Sequence, residues 1–175
     1  MSSSKPKISK AIRIRHKEHF KIGKYSIVDD YCYFSTKVTL GKFCHIAPGC
    51  TIAGGKDYQF TMEDFGSLSS GVKIWCSSND FTNDLIVLKP EGKSIGDKPI
   101  SGDVKIGKMC GIGANSVIMP NNVIPDGTVI GALSFVPSGF KFKEWSVYAG
   151  VPIRFIKKRN KANVLRQAKR LESVV

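Results

Sequence analysis

The sequence is short of acid, histidine and long apolar runs. Across 175 residues, 14 Asp and Glu stand against 27 Lys and Arg, a formal net charge of +13. The histidines are three, His16, His19 and His45. The cysteines number five, and none falls in C-x-x-C or C-x-x-H spacing. An odd count without such spacing argues against both a disulfide framework and a zinc site. No apolar run approaches the ~20 residues that a membrane-spanning helix needs. The opening stretch, "MSSSKPKISKAIRIRHKEHF", is basic but has no apolar core of a secretory signal. With 42% apolar and 23% charged residues, the composition is that of an ordinary soluble domain, expected in the cytoplasm.

The positive charge points to a class of partner. Lys and Arg gather in the first 24 residues and again after Lys141. Such a balance favours nucleic acid, a membrane surface or phosphorylated small molecules. Nucleic acid is the weakest of these, because no aromatic interleaving or recognisable binding motif accompanies the charge.

The dominant signal is a repeat of six. In "IGANSVIMPNNVIPDGTVIGALSFV", Ile112, Ile118, Ile124, Ile130 and Val136 recur at that spacing, and the beat reaches back through Ile106 and Ile100. It also runs through Ile22, Val28, Phe34, Leu40, Ile46 and Ile52, and resumes at Met62, Leu68 and Ile74. Residues two places earlier are mostly small: Ser26, Cys32, Cys44, Cys50, Gly66, Cys110, Ser116, Thr128 and Ser134 among them. Strand alternation puts positions i−2 and i on one face. Each hexad therefore predicts a short strand with two inward side chains and then a corner, where Gly, Asn and Asp supply positive φ. Three hexads make one turn of a triangular coil. A helix cannot carry this pattern, because sixes drift around a 3.6-residue period.

Four cysteines, Cys32, Cys44, Cys50 and Cys110, fall in the small inward slot, where a thiol is a compact apolar filler. Cys76 falls at a corner and reads as an inert, partly exposed thiol. Two stretches break the count: "GGKDYQF" at 54–60, a short excursion, and a longer loop at 80–99. The expected organisation is a basic N-terminal segment over 1–21, the repeat over 22–141, and a cap with a helix over 142–175. That helix, "KANVLRQAKRLESV", presents Val164, Leu165, Ala168 and Leu171 on one face.

With "VKIGKMCGIGANSVIMPNNVIPDGTVIGALSFV" and "EWSVYAGVPIRFIKKR" in place, the chain resembles the hexapeptide-repeat acyltransferases. "MEDFGSLSSGVKI", followed by a polar stretch ending in Asp and an aromatic, is similar to the bacterial sugar O- and N-acetyltransferase branch, enzymes of lipopolysaccharide and O-antigen sugar modification. The resemblance implies an all-β, left-handed parallel β-helix assembled as a homotrimer with active sites between subunits. It implies acetyl transfer from acetyl-CoA, with no metal, to a sugar hydroxyl or amine. The residues corresponding to the family's CoA groove are Gly113, Ala114, Gly131, Ala132 and Ser134. Lys141, Lys143, Arg154, Lys157 and Lys158 supply cations around the cap that suit the phosphates of CoA.

Many family members place a His before an Asp-aromatic pair in the loop. Here those positions are Asn79, Asp80 and Phe81, and an amide has no useful basicity. His45, in "GKFCHIAPG", should point outward beside inward Cys44 and Ile46, and becomes the candidate base. Asp80 is a candidate to orient a base or bind an amine, or else a loop cap. Trp75, Asn79 and Phe81 are candidate substrate contacts. A weakly basic amine needs less help from a base than a hydroxyl does. The missing loop His therefore favours the amine of a nucleotide-linked amino sugar over O-acetylation of a polysaccharide. A γ-type carbonic anhydrase would need more histidines than the chain has. A non-catalytic scaffold on the same fold is the rival from another class.

Overall fold

A computed structural model describes residues 4–82 and 99–175. The expected loop at 80–99 thus falls, from 83 to 98, outside the described residues. The chain winds as a three-faced parallel coil. On the first face Ile27–Val28, His45–Ile46, Ser67–Leu68, Gly111–Ile112, Val129–Ile130 and Ser146–Ala149 stack in parallel register. The second face stacks Arg13–Ile14, the start of Tyr33–Leu40, the start of Thr51–Met62, Lys73–Trp75, Val117–Ile118 and Phe135–Val136. The third stacks Phe20–Ile22, the ends of Tyr33–Leu40 and Thr51–Met62, then Val104–Ile106 and Asn122–Ile124.

The hexad residues fill the prism as the period requires. Phe34, Ile46, Ile52, Met62, Leu68, Ile74, Ile106, Ile118 and Ile124 are fully buried. Polar members of the small slot are also buried, and they tie corners together. Ser26 Oγ donates to Gly41 O at 2.8 Å and accepts from Cys44 N at 2.9 Å. Ser116 Oγ donates to Gly131 O at 2.9 Å. These bonds satisfy two corner carbonyls, of Gly41 and Gly131, and the N–H of Cys44.

Three features differ from the sequence expectation. The first coil begins earlier than Ile22: Lys7–Ile8 pairs with Ile27–Val28, and Arg13–Ile14 with the strand at Tyr33. The basic opening stretch therefore forms a base for the coil. Cys76 is fully buried rather than partly exposed. It turns inward where the strand leaves the second face, and burial pushes its thiol up to about 12. Finally, positive φ is not confined to Gly, Asn and Asp. Tyr25, Phe43 and Phe65 adopt it at successive turns of one edge, with φ of 61°, 55° and 61°. Their rings stack in parallel at 4.9 Å. Stacking at the coil spacing offsets a conformation that bulky residues seldom take.

The excursion at 54–60 is present as an irregularity inside Thr51–Met62, between the partners of Thr36 and Lys37. Above the coil, Arg154–Lys158 folds back antiparallel on Ser146–Ala149. The rings of Phe140, Phe142, Tyr148 and Phe155 close that end with edge-to-face contacts. Helix α1, Lys161–Glu172, is capped by Asn160, whose side chain accepts from Asn163 N. Of its apolar stripe, Ala168 is buried, while Leu165 and Leu171 stay partly exposed.

Candidate active site

His45 points outward from the first face, as strand alternation requires, and its side chain is 45% exposed. Its Nε2 lies 2.8 Å from Asp29 Oδ2, one coil below. The carboxylate accepts from Nε2–H and so fixes the tautomer that leaves Nδ1 as the basic nitrogen. Asp29 escaped the sequence reading, although the signal existed. It follows inward Val28 by one residue, one coil of 18 residues before Ala47, the second residue after His45.

The first face meets the second along an edge of small residues. Gly113 and Gly131 stand there at successive turns, with Ala114 and Ala132 beside them. A β-carbon on Gly113 would come within 2.3 Å of Ala132 N, and one on Gly131 within 3.0 Å of Ala149 Cβ. Gly113 is therefore required by the approach of the next coil's backbone, whereas at Gly131 the contact is tight and Ala149 would have to give by a few tenths of an ångström. Arg154 pairs with Ala149 at the top of that edge and is exposed. From the level of Gly131 down to His45 is three coil rises, about 14 Å at 4.8 Å each.

Other candidates are placed differently. Ser134 is buried in the small slot, where its Oγ donates to Gly131 O at 2.7 Å and accepts from Gly150 N at 3.1 Å. That side chain is a core spacer and cannot face a ligand. Lys141 borders two hollows of the cap, one beside Val123 of the third face and one lined by Lys143, Tyr148, Phe155 and Lys158. Lys157 pairs with Val147 above the first face and is exposed, with Lys158 next to it.

Trp75 is half-buried on the second face, opposite Ala53. Beyond it, Ser77–Ser78 pairs antiparallel with Ile100–Ser101 where the chain leaves the coil. Asn79 is half-buried and Phe81 is 74% exposed. Asp80 Oδ1 accepts from Thr82 N at 3.1 Å and Thr82 Oγ1 at 2.5 Å, a turn-capping arrangement. This loop leaves the corner between the second and third faces, whereas His45 stands on the first. One subunit does not bring the two groups together.

No protein-family model matches the chain. A curated relative, dTDP-4-amino-4,6-dideoxy-D-glucose acyltransferase of Escherichia coli, is 32% identical over 148 residues, covering 82% of this chain and 74% of the relative. The crystal structure of AntD, an N-acyltransferase from Bacillus cereus in complex with dTDP and 3-hydroxybutyryl-CoA, superposes with a TM-score of 0.84 at 33% identity. That match covers 95% of this chain and 87% of AntD. A variant of AntD in complex with dTDP-4-amino-4,6-dideoxyglucose and coenzyme A gives a TM-score of 0.84 at 32% identity, over 97% of this chain and 88% of the other. With its stacked hexads, edge of small residues and these relatives, the chain belongs to the hexapeptide-repeat sugar acyltransferases, acyl-CoA-dependent enzymes on a left-handed parallel β-helix.

Proposed function

We propose that this enzyme transfers an acetyl group from acetyl-CoA directly to the amine of a nucleotide-linked amino sugar. The observation that carries the reading is the His45–Asp29 pair at the foot of the edge formed by Gly113, Gly131 and Arg154. The acyl thioester lies along that edge, with Arg154 on the CoA phosphates. The acceptor amine attacks the thioester carbonyl, and His45 Nδ1 takes the proton while Asp29 steadies the resulting imidazolium. Collapse of the tetrahedral oxyanion expels the CoA thiolate, which regains a proton to become the free thiol. Backbone N–H groups on the edge are the available donors for that oxyanion.

The loop bearing Asn79, Asp80 and Phe81 leaves the far side of the prism. It reaches such a site only from a neighbouring subunit, which supports a homotrimer with shared sites. The five unbridged cysteines fit a reducing, cytoplasmic setting. A sugar hydroxyl as acceptor is the second reading, because a His–carboxylate pair is a base strong enough in principle to serve it. Thiol release from acetyl-CoA, tested with nucleotide-linked amino sugars and with neutral saccharides, separates the two.

A further inference from the structure

The two ends of the coil are finished differently. Aromatic rings close the top. At the bottom, Lys7–Ile8, Arg13–Ile14 and Phe20–Ile22 form the first turn, and among the described residues each pairs only with the turn above. Ile8, Ile14, Phe20 and Ile22 stand in register with Val28, Phe34, Val38 and Leu40, all of which are buried. In the first turn the same slots are open: Ile8 is 41% exposed, and Ile14, Phe20 and Ile22 are only half-buried. The coil ends in an apolar floor.

Cations ring that floor. Between Ser4 and Lys24, Lys and Arg outnumber acids eight to one, Glu18 being the acid. Lys10, Arg13, Arg15, Lys17 and Lys21 are all exposed. Asp30 of the second turn reaches down to accept from Ser9 Oγ, which leaves the cations in large excess. The end of helix α1 comes to the same level, where Leu171 and Val175 border a hollow with Lys7. It adds Lys169 and Arg170, both exposed. We infer that this base is a docking surface for a lipid bilayer with anionic headgroups.

The pairing of floor and ring selects the partner. Cations alone suit any polyanion, but an apolar centre inside them suits the boundary between headgroups and acyl chains. Duplex nucleic acid offers phosphates and no apolar phase to cover Ile8 and Ile14. A second copy stacked end to end would cover the floor but bring like charges together. Docking on the base leaves the faces of the coil open to substrates. His45 stands two coil rises, about 10 Å, above Lys7. The inference is independent of which acceptor the enzyme takes.

The test is co-sedimentation of the full chain with vesicles of phosphatidylglycerol and phosphatidylcholine, of phosphatidylcholine alone, and a parallel titration with duplex DNA. Wild type is compared with a base variant, Lys10→Gln/Arg13→Gln/Arg15→Gln/Lys17→Gln. A cap variant, Lys141→Gln/Lys143→Gln/Lys158→Gln/Lys161→Gln, removes the same charge from the other end. Thermal unfolding checks that both remain folded. Wild type should bind the anionic vesicles and not the neutral ones. A basic side chain near an anionic surface is worth about fivefold in affinity, so the base variant should bind about a hundredfold or more weaker. The cap variant should lose less than about tenfold. Equal losses in the two variants would assign binding to overall charge and overturn the inference. So would absence of wild-type binding to anionic vesicles, or duplex DNA bound as tightly as those vesicles and lost in the base variant.

Discussion

His45 Nε2 is 2.8 Å from Asp29 Oδ2, a contact made between successive coils by residues 16 apart. The pairing follows from the repeat. Parallel stacking places residue i beside residue i+18, so a carboxylate one residue past a strand sits beside the imidazole-bearing strand above it. The pair leaves one imidazole nitrogen for chemistry.

His45→Ala should lower turnover about a hundredfold or more, with acyl-CoA binding little changed. Asp29→Asn should lower turnover less, by about tenfold, and alter the shape of the pH–rate profile while the fold is retained. Steady-state kinetics across pH checks both. Near-normal turnover in His45→Ala would remove the imidazole from the mechanism.

Arg154→Ala should raise the KM for acetyl-CoA without unfolding the protein, whereas Lys141→Ala should leave that KM unchanged. The first cation tops the edge of small residues, and the second stands among the cap aromatics Phe140 and Phe142, bordering Val123 on one side and Phe155 on the other. Equal effects of the two substitutions would contradict the placement of the donor.

Every cysteine is buried, so a thiol reagent should label none of the five in the native protein and all of them after unfolding. Burial holds Cys76 and Cys110 up at about 12, against an ordinary 9.0. The folded state then keeps protons that the unfolded chain gives up above about pH 9. Stability should therefore fall as pH rises from 9 towards 12. Denaturant unfolding at pH 7.5, 9.5 and 10.5 measures the trend; a flat profile would mean the thiols are less enclosed.

Gly127 has φ of +69°, and a β-carbon there would lie 2.4 Å from the ring of Trp145. The indole covers the place where the corner column, from Tyr25 through Phe43, Phe65 and Met109, carries a side chain at the other turns. Gly127→Ala should cost about 1–3 kcal/mol in overpacking and backbone strain. Chemical denaturation gives the value, and a neutral result would show that Trp145 moves aside freely.

The coil was legible because its signal is one-dimensional. Ile112, Ile118, Ile124 and Ile130 state the period, and alternation then orients every neighbour, His45 included. Cys76 was misread because it lies where the chain leaves the second face, and a broken count no longer says which way a side chain turns. The stacked Tyr25, Phe43 and Phe65 were missed for another reason. Their φ values depend on contacts between coils, which local turn preference does not contain. Asp29 belongs with them, since its role appears only when residues one coil apart are set side by side. Ser134 shows the converse: its resemblance to a cofactor contact yields to its place in the inward slot.

The most direct measurement is incubation of the enzyme with acetyl-CoA and dTDP-4-amino-4,6-dideoxyglucose, following thiol release and the mass and linkage of the product. The proposed function predicts one free thiol per sugar modified, a gain of one acetyl group, and an amide that survives hydroxylamine. Thiol release only with neutral saccharides, giving a hydroxylamine-labile ester, would contradict N-acyl transfer.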